Sequence, residues 1–257
     1  MAAVAAGDSA AADLPAEPAA DDLPTLRDDE RGIPRAIPLL AALVDADSRR
    51  YAAAAASRPA GSELLRAFRG GGASIPAAPV GEFLERVQRF IQLESVRHQI
   101  RLESTSYVLA GIYLMRFMRS AAAEEAELVV EPSTAHRLVA VSLFLGAKFG
   151  GPDTYLPKKW TFVFEVSSDG AIRAGEMPDL EERFLRAVDY RLFVDGETFA
   201  WFCGVLEQGP GPVPGPEEEA ERASCGGQKR SASPVAGEVD ELRRVRPCLL
   251  PPAIASS

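Results

Sequence analysis

The chain has 257 residues, 47% of them apolar, and carries 28 Lys and Arg against 37 Asp and Glu, for a formal net charge of -9. That acidity argues against nonspecific nucleic-acid binding, which needs basic patches facing the phosphates. Three scattered cysteines, Cys203, Cys225 and Cys248, form neither a disulfide framework nor a zinc spacing and fit a reducing compartment.

Residues 1–30 are alanine, proline and acid without period, and 208–257 keep to proline, glycine and charge. Neither buries enough apolar surface to offset the entropy of ordering, so both are expected to be disordered tails around one domain at 31–207. The start, "MAAVAAGDSAAADLP", lacks the basic opening of a secretory signal, and no apolar run approaches the ~20 residues of a membrane span. An intracellular protein, in nucleus or cytoplasm and without membrane attachment, is the expectation.

Inside the domain the periodicity is helical. "IPRAIPLLAALVDADSRR" predicts a first helix with its prolines confined to the start. "GGGASIPAAP", 70–79, reads as a loop. In "VGEFLERVQRFIQLE", Val80, Phe83, Leu84, Val87, Phe90 and Ile91 fall on one helical face. His98 falls in a polar connecting stretch. "SYVLAGIYLMRFM" is apolar nearly all round, as a central buried helix would be. "PSTAHRLVAVSLFLGAKF" follows, with Ser133 or Thr134 as its N-cap.

"KKWTFVFEV" has strand propensity, but a lone strand among helices has nothing to pair with, so a short helix is expected. "SSDG" makes a turn. "EMPDLEERFLRAVDYRL" puts Met177, Leu180, Phe184, Leu185, Val188 and Leu192 on one face. "DGETFAWFCGVLEQ" has Asp195 as cap and ends at Gly209. Six or seven helices in roughly 175 residues make an all-α domain.

The chemistry of an enzyme is missing. His98 and His136 belong to no H-E-x-x-H, and no nucleophile is spaced with a base. Gly70–Gly72 follow no strand and precede no Lys-Ser/Thr, so they form no phosphate cradle. Cys203, among Phe199, Trp201 and Phe202, reads as a packed hydrophobe. No catalytic, cofactor-binding or metal-binding residues are assigned.

Two charges that interrupt apolar faces are more informative. Lys148 ends a greasy helix just before two glycines, and Glu181 sits at the edge of a buried stripe. On spacing alone two readings stand. Lys148 is a helix-end cation offsetting the macrodipole and Glu181 part of a solvated face near Arg186. Alternatively, the two flank an apolar groove that receives a partner helix, where charges set register and choice of partner.

In order along the chain, five segments resemble the cyclins, specifically the single-box plant P-type (U-type) and fungal phosphate-signalling cyclins. "IPRAIPLLAALVDADSRR" resembles the family's leading helix. "FRGGGASIPAAPVGEFLERVQRF" is similar to its F-H-G-x-x-x-P-x-I-S-I loop and Y-L-E-R-I helix start. "SYVLAGIYLMRF", "HRLVAVSLFLGAKF" and "EMPDLEERFLRAVDYRLFVDGETF" resemble F-V-x-A-Y-I-Y-L-D-R-F, H-R-L-x-x-x-S-x-x-x-A-A-K-F and E-M-N-x-L-E-x-x-F-L-x-x-L-D-F-R-L-x-V.

The resemblance implies a five-helix cyclin box with a leading N-terminal helix. It implies a non-catalytic regulatory subunit that forms a heterodimer with a cyclin-dependent protein serine/threonine kinase and activates it. The Lys of A-K-F and the Glu of the L-E segment contact the kinase in that family, which assigns Lys148 and Glu181. Phe149, Leu185, Tyr190 and Leu192 match positions lining the same surface. Two departures stand out. Met115 replaces the usual Asp of Y-L-D-R-F, so Arg86 needs another acceptor or must face water. Gly150 and Gly151 replace the acids after A-K-F, with Asp153 as a shifted substitute. They favour an alternative, a cyclin-box adaptor or transcription-associated helical protein that has lost kinase binding, which the retention of both Lys148 and Glu181 opposes. Too little apolar sequence follows Glu207 for a second box.

Overall fold

The computed structural model describes residues 23–55, 61–70, 75–98, 102–150 and 160–210. Asp153, Cys225, Cys248 and most of both tails lie outside the described residues. Within them the fold is all-α. Its helices are α1 (Ala36–Ala55), α2 (Glu63–Arg69), α3 (Val80–His98), α4 (Ser104–Met118), α5 (Ala121–Glu125), α6 (Ala135–Phe149), α7 (Trp160–Ser167), α8 (Met177–Ala187) and α9 (Gly196–Gln208). The sole β-pairing among the described residues is an isolated bridge between Asp28 and Pro34.

Seven of these helices are the expected ones. The segment with strand propensity is helical as α7, and it buries Trp160, Val163, Phe164 and Ser167, the i, i+3, i+4, i+7 set of one helical stripe. The two additional helices are short and capped by serine. Ser62 Oγ accepts from Leu65 N at 3.0 Å at the start of α2, and Ser120 Oγ from Ala123 N at 3.2 Å at the start of α5.

Three local expectations are corrected. His98 is the last residue of α3, not part of a connection. Neither Ser133 nor Thr134 caps α6 with its side chain. Thr134 stands at the N-cap position, but its hydroxyl accepts from Glu131 N and donates to Val129 O, bracing the preceding turn. The packed chain also begins ahead of residue 31. Thr25, in a 3-10 turn at Pro24–Leu26, is fully buried, and Leu23 and Leu26 pack on the core.

The pair α4 and α6 forms the centre of the domain. All of α4 except Thr105 and Arg116 is buried, as is every residue of α6 from Ala135 to Ala147. The helices approach so closely at Gly146 that a Cβ there would lie 2.4 Å from the Ser106 carbonyl oxygen. Around this centre, α3 buries Val80, Phe83, Leu84, Val87 and Ile91, and α8 buries Met177, Leu180 and Phe184. Each such side chain contributes about 1.5–3 kcal/mol on leaving water. Phe184 stacks on Phe117 of α4 with ring centroids 4.4 Å apart, which fixes how α8 lies across the bundle.

Buried charges are paired. Arg137, almost fully enclosed, donates from Nε to Glu176 at 2.9 Å and from its terminal nitrogens to the Ala171 and Arg69 carbonyls. Arg69 in turn meets buried Glu131 at 2.6 Å. The substitution at Met115 strands no cation. Met115 is an apolar core residue, and Arg86 faces outward to Asp169 at 2.8 Å and Glu82 at 2.7 Å.

Candidate partner-binding site

The last turn of α6 leaves the core between Ala147 and Lys148. Gly150 N donates to the Gly146 carbonyl at 2.9 Å and closes the helix. Lys148 thus sits where the unpaired carbonyls of a helix C-terminus favour a cation. Its ammonium lies 5.2 Å from the Phe144 ring centroid and 5.9 Å from that of Phe149. Both contacts are within cation–π range.

Glu181 comes from the second turn of α8. Its neighbours on that helix are paired locally: Asp179 with Arg183 at 2.7 Å, and Glu182 with Arg186 at 2.5 Å. The expected neighbour Arg186 therefore serves Glu182. Glu181 instead crosses to α6, where its Oε1 accepts from Lys148 Nζ at 2.6 Å. The Glu181 side chain is 16% exposed and that of Lys148 36%, so the pair is partly withdrawn from water at the rim of the core.

Apolar surface flanks this pair. Phe149 is half-exposed beside Lys148. Leu185, one turn beyond Glu181, and Leu192 pack partly on the core and leave an edge in solvent. Tyr190 is 62% exposed. It follows Asp189 in the left-handed region, with φ of 52° and 56° for the two, and its N–H returns to the Leu185 carbonyl at 2.9 Å. This unusual backbone turns the chain sharply after α8.

One residue of this surface was missed: Phe193, at 82% exposed. After the turn, exposure alternates along the chain. Leu192 and Val194 pack against the core, while Arg191 and Phe193 point outward. That alternation in "YRLFV" was the available signal.

Other chemistry is quiet. His136 Nε2 meets the Ala78 carbonyl at 2.8 Å, and burial holds the imidazole below its ordinary pKa. Burial likewise raises the Cys203 thiol. No group of three or more His, Cys, Asp and Glu suited to a metal occurs among the described residues. No described helix is long and apolar enough to cross a membrane.

A family model described as Cyclin matches residues 35–192. The chain is 31% identical over 175 residues to Cyclin-P4-1 of Oryza sativa subsp. japonica, across 68% of this chain and 74% of that protein. It is 26% identical over 133 residues to Cyclin-U4-2 of Arabidopsis thaliana, across 52% and 53% of the two. No solved structure matches significantly.

Proposed function

The chain belongs to the cyclin family, and from that premise we propose that it binds and activates a cyclin-dependent serine/threonine kinase through the surface around Lys148 and Glu181. The observation that carries this reading is the 2.6 Å pair between those residues, set at the core rim beside half-exposed Phe149, with exposed Tyr190 in the turn after the helix that carries Glu181. A charged pair flanked by aromatic and aliphatic edges is what a desolvated docking site needs: the apolar edges supply affinity and the charges fix register.

The mechanism is allosteric. A protein kinase transfers phosphate only when its β3 lysine is paired with the αC glutamate, and the position of αC controls that pair. A surface that binds αC only in its inward position moves the kinase toward the active state, by no more than its differential affinity for the two states. Ion-paired to each other, Lys148 and Glu181 are held in place before docking, which lowers the side-chain entropy lost on binding. The adaptor alternative drew on Met115, yet that substitution sits within the core and leaves Arg86 paired elsewhere.

Reconstitution tests the reading. Recombinant cyclin-dependent kinases are assayed one by one, with and without the purified chain, on a generic peptide substrate. Stimulation of at least one is expected, with the chain alone inactive. Stable complexes without stimulation would favour the adaptor, and the absence of any complex would remove the proposal.

A further inference from the structure

The turn that carries Tyr190, Leu192 and Phe193 is held by short local backbone bonds. Within it, Tyr190 N bonds to Leu185 O, Arg191 N to Val188 O and Leu192 N to Tyr190 O. Two consecutive non-glycine residues, Asp189 and Tyr190, hold positive φ. Such backbone persists only when its surroundings over-determine it.

Besides the packing of Leu192 and Val194 on the core, the surroundings include two side chains one turn apart on α4. Tyr113 donates its hydroxyl to the Leu192 carbonyl at 3.0 Å. Arg116 donates Nη1 to the Arg191 carbonyl at 3.0 Å and to the Phe193 carbonyl at 2.7 Å. Three successive carbonyls thus accept from α4. Arg116 is one of two α4 residues that are not buried, so it reaches the turn from the edge of the bundle. Its charge also reaches Asp195, the cap of α9, whose carboxyl is held below its usual range chiefly by the Thr198 N–H and in smaller part by Arg116. The guanidinium therefore lies where the turn passes into α9.

We infer that Arg116, assisted by Tyr113, is a positioning residue for partner binding: it holds the 190–193 turn, which follows the helix that carries Glu181, in the one conformation that presents Tyr190 and Phe193 outward. A guanidinium suits this task because its planar, rigid donor fork reaches two carbonyls at once, whereas an ammonium is a point charge on a flexible stem. The inference rests on the kinase-binding reading above and assigns the order of its surface to α4.

The test combines a measurement on the full chain alone with one on its complex. Hydrogen exchange at the amides of residues 190–194 is compared in wild type, Arg116→Ala, Arg116→Lys and Tyr113→Phe, beside thermal melts. Affinity is then measured for whichever recombinant cyclin-dependent kinase the wild-type chain binds. Arg116→Ala is expected to speed exchange in the turn while sparing the core amides of α4 and α6, and to weaken the kinase at least tenfold. Arg116→Lys should recover part of both effects. Tyr113→Phe, which keeps the ring and removes the hydroxyl, should shift both in the same direction by less, and guards against a folding defect in the alanine variant. Wild-type affinity in Arg116→Ala and Tyr113→Phe, with Lys148→Glu binding lost, would overturn this inference and leave the kinase reading standing. Failure of the wild-type chain to bind any kinase would overturn both.

Discussion

The guanidinium of Arg137 occupies the space that a Cβ on Gly70 would need: a Cβ there would lie 2.1 Å from Arg137 Cζ. Gly70 also holds a φ of +77° at the end of α2. A glycine far from it in sequence thus completes the enclosure of a buried cation that binds α2, α6 and the start of α8 together.

Gly70→Ala should therefore cost more than its backbone term. Left-handed φ alone costs roughly 1 kcal/mol or somewhat more, and Arg137 must also give up its bonds to Glu176 and to the Ala171 and Arg69 carbonyls, so a total of about 3–5 kcal/mol is expected. Gly32→Ala is the control, since Gly32 has a φ of +70° and nothing within 4 Å of the added Cβ. Urea denaturation of both variants checks the difference. Equal losses would mean that Arg137 yields freely.

Leu138 is fully buried in the first turns of α6, against the central helix pair. Leu138→Ala should lower stability by about 2–5 kcal/mol through the cavity it leaves. A loss below ~1 kcal/mol in the same denaturation experiment would place this turn outside the core.

His136 makes stability depend on pH. Its Nε2 donates to the Ala78 carbonyl, and its Nδ1 has no partner, so the buried ring is neutral. Desolvation lowers its folded-state pKa, with the nearby charge of Arg137 acting in the same direction and the Ala78 bond opposing. The unfolded chain therefore takes up this proton first as pH falls. Stability should be level above the unfolded value of about 6.5 and decline below it, until the folded pKa is reached. Melting temperatures from pH 7.5 to 5 in wild type and His136→Gln check the sign: the variant should lose much of that slope.

The amphipathic faces were legible because helical spacing writes them directly into sequence. The six apolar positions of α3 and Met177, Leu180, Phe184 and Leu185 of α8 pack as read, with Phe90 and Leu185 half-buried at the edges, but α8 ends at Ala187, so Val188 and Leu192 meet the core from the turn beyond it and not from the helical face expected. The solid apolar run of α6 up to Lys148 did the same for the centre of the fold. Buried ion pairs were not legible. Arg137 and Glu176, or Arg69 and Glu131, look in sequence like any surface charges, and only tertiary contact separates them from Arg89 and Glu85, which pair in solvent along one helix. The short helices α2 and α5 were missed because neither is long enough to show a period. Within the candidate site, the interruption of two apolar faces singled out Lys148 and Glu181 and the resemblance chose between their readings, but nothing in spacing said that they touch.

That contact gives the most direct test of the central claim, that Lys148 and Glu181 serve partner binding beyond holding α6 to α8. Lys148→Glu and Glu181→Lys each place like charges face to face, and the double variant restores an ion pair of reversed order. As the pair is partly exposed, each single reversal should cost the fold at most ~1–2 kcal/mol, and the double variant should regain most of it. Kinase binding should follow a different rule. A partner that reads both charges in place meets both reversed in the double variant, so affinity should fall roughly 30-fold or more in the singles and stay low in the double. The measurement is kinase affinity beside melting temperature for the three variants and wild type. Restored melting with lost binding in the double variant is the predicted result; recovery of wild-type binding together with melting would mean that the pair is only a clasp between two helices.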